Sequence, residues 1–111
     1  MDYPAFIAAF PGLALPLGPD VVRCHAIRSD AGLVVFFDFL QDATLPEHSH
    51  KGQWGTVIEG EIALTIGGVT RRYRPGESYD IPSGTPHAVR VLAGTKAIDV
   101  FEEPDRYPLR S

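Results

Sequence analysis

A chain of 111 residues can build one hydrophobic core and is too short for two. Its net charge of −4 works against nucleic acid or an anionic membrane surface as partner. No stretch reaches the roughly 20 apolar residues that cross a bilayer as a helix. The single Cys24 excludes an internal disulfide and fits a reducing compartment, so the cytoplasm is the expected location.

Eleven glycines and ten prolines punctuate the chain so often that little room is left for helix, and short strands with tight turns are expected. Residues 1–20 hold Pro4, Pro11, Pro16 and Pro19 and read as an irregular arm, with one helical turn over 5–10. Asp2 stands where a signal peptide would be basic, so the arm is not read as a targeting segment. Its apolar residues need a cover, either the rest of the domain (21–111) or a second subunit. Strands are predicted over 21–28 and 33–40, the second rich in β-branched and aromatic residues, with a turn at Ser29-Asp30-Ala31-Gly32. Residues 41–46 read as a loop, and His48-Ser49-His50 opens the next strand, continued by 54–58.

Ile62, Leu64 and Ile66 alternate with Ala63 and Thr65, the mark of a half-buried strand. Gly67-Gly68 is a two-residue hairpin signal, and 69–74 returns. Short strands follow at 78–81, 87–92 and 97–101, separated by Pro82-Ser83-Gly84 and Ala93-Gly94-Thr95-Lys96. An all-β antiparallel barrel is the natural reading.

Three of the four histidines stand in an informative arrangement. His48 and His50, two apart on a strand, leave the same face and can approach one ion at the roughly 2.0–2.1 Å of a metal–imidazole bond. Gln53 joins them only if Lys51-Gly52 forms a bulge or short loop. Further on, Gly76, Pro82, Gly84 and His87 are separated by five, one and two residues.

That second pattern resembles the second motif of the cupin family at all four positions. The family's first motif is met by His48, His50 and Gly60, with Gln53 in the slot usually held by a carboxylate. Asp42 and Val91 depart from the pattern at supporting positions, and the gap between His50 and Gln53 is short. The resemblance covers residues 42–91. It implies a double-stranded β-helix (a jelly-roll barrel) with an irregular N-terminal arm, one divalent transition metal (Zn, Fe, Ni or Mn) on His48, His50, Gln53 and His87, and a homodimer. An amide in place of a carboxylate leaves such an ion its full charge, which favours anionic or enolic ligands.

Two functions follow from the resemblance. One is a metalloenzyme acting on a small oxygenated metabolite, by isomerase- or lyase-like chemistry, as in similar small cupins of uronate breakdown, or by dioxygenase chemistry. The other is a non-catalytic small-molecule sensor. No Asp or Glu fills a motif slot, so Tyr79 stands as a catalytic candidate beside other groups of the site or a metal-bound hydroxide. Neither nucleic acid nor membrane is an expected partner.

Other polar residues read as structural. Cys24 and His25 face opposite ways, Arg71, Arg72 and Arg74 form a solvated face, and Arg90 points away from His87. Trp54, Tyr79 and Phe101 either line the interior or serve core and interface.

Overall fold

The computed structural model describes residues 2–110. One helical turn, α1 (Ala5–Ala8), precedes β1 (Val22–Ser29), β2 (Gly32–Phe39), β3 (Ala43–His48), β4 (Gln53–Glu59), β5 (Ile62–Ile66), β6 (Val69–Tyr73), β7 (Ser78–Ile81), β8 (His87–Val91) and β9 (Lys96–Phe101). The strands form two antiparallel sheets, ordered β1-β2-β9-β4-β7 and β3-β8-β5-β6. This is the jelly-roll barrel of the cupin type.

Period-two alternation explains which face of each strand is buried. On β2, Leu33, Val35, Phe37 and Phe39 are buried while Val34, Phe36 and Asp38 are only partly covered. Their inward side chains meet Ile62 and Leu64 of β5, Val91 of β8 and Ala97 and Phe101 of β9 in one core. At the β5–β6 turn Gly67 and Gly68 have φ of +58° and +78°, the left-handed pair that a tight hairpin requires.

Two expectations need correction. Residues 41–46 are not a loop: most of them belong to β3, which pairs antiparallel with β8. Pro46 and a β-bulge hide that strand from pattern reading. Leu45 lies opposite Val89 and His48 opposite His87, so three steps on β3 match two on β8. In a regular strand Leu45 and His48 would face opposite ways, and the bulge turns both into the interior. Second, His48-Ser49-His50 does not open a continuous strand. His48 ends β3, and His50 lies in the connection to β4.

The arm packs on its own barrel. Its helical turn is shorter than expected and buries no residue. Tyr3 donates its hydroxyl to the Phe37 carbonyl at 2.8 Å, and the rings of Tyr3 and Phe10 lie against Phe36. The Ala26 amide donates to the Pro11 carbonyl, and Leu13 is almost wholly buried beside Leu109 of the C-terminal tail. Leu15 and Leu17 close over the space between the sheets.

Candidate metal centre

The space between the sheets is a cavity of about 70 Å³ open to water-sized groups, where one water needs roughly 10–15 Å³ on the same measure. It therefore suits several waters or a small metabolite. Most of its wall is apolar, with His48, His50, Gln53, Tyr79, His87, Asp99 and Tyr107 as the polar exceptions.

The three imidazoles converge. Ring centroids lie 4.3 Å apart for His48 and His87, 4.8 Å for His50 and His87 and 5.3 Å for His48 and His50. One ring nitrogen from each falls within 4.8 Å of the others. Two metal–nitrogen bonds span at most about 4.2 Å, so closure on an ion needs only sub-ångström movement.

Each ring is also held in the tautomer a metal needs. Nδ1 of His48 lies 2.8 Å from the Pro46 carbonyl, Nδ1 of His50 2.6 Å from the Lys51 carbonyl and Nδ1 of His87 2.9 Å from the Thr85 carbonyl. A carbonyl only accepts, so each Nδ1 carries the proton and each Nε2 keeps a free lone pair. Burial lowers the basicity of His50 and His87, and the neighbouring positive charge of Arg106 adds to it. Neutral rings at neutral pH are the ligating form. The donor set suits Zn, Fe, Ni or Mn better than calcium or magnesium.

The 49–52 connection is pinned from the C-terminal side. The Lys51 amide donates to Glu103 Oε1 at 2.9 Å and the Gly52 amide to Glu102 Oε1 at 2.8 Å. The Gly84 amide donates to the His50 carbonyl, tying the loop before His87 to the same connection. Gln53 opens β4 and lines the cavity with the histidines.

Asp99, which sequence reasoning passed over, is the one acidic residue among those lining the cavity. Gln53 Nε2 donates to its Oδ2 at 3.1 Å and the Tyr79 hydroxyl to its Oδ1 at 2.5 Å. Burial pushes its carboxyl up to about 7, against the pull of those two hydrogen bonds. Burial raises the Tyr79 phenol too, with the Asp99 charge adding to it. The available signal was parity: Ala97, Asp99 and Phe101 share one face of β9, and two of the three are apolar.

Arg106 was also missed. Its guanidinium lies 4.6 Å above the Tyr107 ring, which lines the cavity. Its Nε is buried with no hydrogen-bond partner among the described residues, and Arg106 itself stands behind the cavity wall, reaching His50 and His87 through its charge.

The remaining sequence candidates fall outside the cavity or join its wall. Tyr79 and Phe101 line it, whereas Trp54 points out and is 43% exposed. Cys24 is buried while His25 contacts the Phe10 carbonyl from the other face. Arg90 is exposed, Arg74 pairs with Glu61 at 3.4 Å, and Arg71 sits over Tyr73. No helix of the described residues is long and apolar enough to cross a membrane.

A double-sheet barrel with three converging histidines defines a cupin, and the Cupin domain family matches residues 35–101: the chain belongs to that family. Among individual proteins, it is 35% identical over 74 residues to the HTH-type transcriptional regulator PuuR of Escherichia coli, covering 64% of this chain and 40% of the regulator. The chain thus spans well under half the length of that relative. KdgF from Halomonas sp. superposes with a TM-score of 0.70 at 25% identity, over 83% of this chain and 86% of that one. An RmlC-like cupin from Shewanella frigidimarina superposes at 0.73 with 22% identity, over 89% and 87%.

Proposed function

We propose that this chain is a metal-dependent cupin enzyme acting on a small, oxygenated, carboxylate-bearing metabolite by non-oxidative proton transfer. His48, His50, Gln53 and His87 hold one divalent transition ion. The observation that carries the reading is the buried Asp99–Tyr79 pair in the same cavity as the three Nε2 lone pairs. An ion bound there supplies Lewis acidity toward a carbonyl or hydroxyl oxygen.

The chain's own groups do the rest. A carboxyl near neutrality can both take and return a proton, so Asp99 serves as acid and base for isomerisation or ring opening next to that oxygen. Tyr79 holds Asp99 at one oxygen, and the positive charge of Arg106, stacked on the cavity-lining Tyr107, favours a substrate carboxylate near the histidines. Phe101, whose ring lies 5.9 Å from that of His50, and Ile81, the cross-strand neighbour of Gln53, present apolar surface beside the reacting groups. The likeness to KdgF extends over most of both chains and so covers the whole barrel, metal centre included.

A second reading is favoured by the identity to PuuR: a sensor that binds the same class of carboxylate and passes the signal to a DNA-binding partner. Turnover separates the two. Metal-loaded protein is incubated with a panel of uronates, keto sugars and hydroxy acids, and conversion is followed by NMR. Conversion that stops in Asp99→Asn supports the enzyme. Saturable binding with every ligand of the panel unchanged supports the sensor.

We also infer a homodimer through the outer face of the β1-β2-β9-β4-β7 sheet. There Ile27, Val34, Val100 and Trp54 stand opposite one another across four strands, with Ile27, Val100 and Trp54 more than a third exposed. The lone, buried Cys24 fits a cytoplasmic setting.

A further inference from the structure

Gln53 occupies the slot where the family motif usually places a carboxylate, and an amide can bind a cation only through its oxygen. Nothing in the side chain itself decides which end faces the histidines, because the two ends of an amide are nearly equal in size. Here the choice is made from behind. The Nε2 end donates to Asp99 Oδ2 at 3.1 Å while the Tyr79 hydroxyl donates to Oδ1, so both oxygens of Asp99 act as acceptors and neither pairs with Oε1. Gln53 lines the same cavity as the three histidines, so the end not held by Asp99 is the oxygen.

Asp99 is in turn fixed at its second oxygen by the Tyr79 hydroxyl. Tyr79 and Asp99 lie on β7 and β9 on either side of Gly55, whose missing side chain leaves the room in which they meet. The three imidazoles and the amide bring no negative charge to a divalent ion. Asp99 is the one carboxylate among the cavity-lining residues, one hydrogen bond behind the amide.

We propose that Asp99 is the positioning residue that turns the Gln53 oxygen toward the metal centre. This rests on the metal centre proposed above. Such partners behind a ligand typically change metal affinity by about 10- to 100-fold.

The test exchanges charge between the two positions. Co(II) is the probe, with affinity measured by chelator competition and coordination by the visible spectrum, in the wild type, Asp99→Asn, Gln53→Glu and the double variant. With Gln53 in place, Asp99→Asn should weaken Co(II) binding by roughly tenfold. In the Gln53→Glu background the same change should strengthen it. There a carboxylate at position 53 otherwise stands face to face with that of Asp99, and an amide at position 99 can donate to it instead. The double variant should return to within a few-fold of the wild type with a four-ligand spectrum. Wild type that fails to bind Co(II) overturns the metal centre itself. Tight wild-type binding with Asp99→Asn acting in the same direction in both backgrounds overturns only the role of Asp99.

A second measurement needs no variant to fold. The chain has two glutamines, Gln41 and Gln53, so the side-chain amide signals of the ¹⁵N-labelled protein are few. The Gln53 Nε2 protons should stay protected from exchange when Zn(II) is added. Exchange as fast as that of an exposed glutamine would contradict the arrangement.

Discussion

The Tyr79 hydroxyl donates to Asp99 Oδ1 at 2.5 Å, and the two side chains meet over Gly55, which is the cross-strand neighbour of both. A Cβ at position 55 would collide with Asp99 Oδ1 and with the Tyr79 ring. The glycine is there to make space: its φ is not among the positive ones, so backbone freedom is not the reason.

Gly55→Ala should therefore destabilise the fold by about 1–3 kcal/mol through overpacking. In a domain of this size that is a fall in Tm of at least roughly 4 °C, read by thermal denaturation of the metal-free protein. An unchanged Tm would show that the pair yields without cost.

Asp99 also makes a pH prediction for the metal-free protein. Its carboxyl is raised to about 7 by burial, above the usual carboxylate range of an unfolded chain. The folded state thus binds the proton more tightly, and the stability this contributes is complete below about pH 4 and is lost as pH rises through about 7. Asp99→Asn should flatten that stretch of the stability curve in denaturant titrations. Parallel curves for wild type and variant would contradict a buried, shifted carboxyl.

The strands were largely legible because their signal is local. Leu33, Val35, Phe37 and Phe39 alternate with partly covered residues, and Gly67-Gly68 marks a turn that needs two left-handed residues. The motif resemblance anticipated that His48, His50 and His87 meet, although His50 does so from a connection and not from the strand that its spacing implied. What escaped was non-local. The bulge between Leu45 and His48 breaks the alternation that would have revealed β3, and its meaning depends on pairing with β8. Asp99 looked like an ordinary strand residue until Gln53 and Tyr79 were brought to it from two other strands. Arg106 lies in the C-terminal tail, whose path past the histidines no local pattern records.

Arg106→Gln should weaken a carboxylate-bearing ligand by about tenfold or more, since a charge-assisted pair to a guanidinium is among the stronger contacts. Metal affinity should not fall, because Arg106 is not a ligand and its positive charge works against a cation on His50 and His87. Isothermal titration with the best ligand of the panel, alongside Co(II) competition, separates the two effects. Equal ligand affinity in variant and wild type would remove Arg106 from the binding site.

Trp54→Asp places a charge in the apolar row formed with Ile27, Val34 and Val100. The wild type should sediment as a dimer and the variant as a monomer, with the metal still bound. A wild type that sediments as a monomer at micromolar concentration would contradict the assigned interface.

The most direct measurement is the metal content of protein purified without chelator, by elemental analysis, for the wild type and His87→Ala. About one first-row transition ion per chain in the wild type, and little in His87→Ala, is the expected result; loading should also fall as pH drops below about 6, where imidazoles protonate. Wild-type protein without metal, or a variant loaded as fully as the wild type, would contradict a cation shared by His48, His50 and His87.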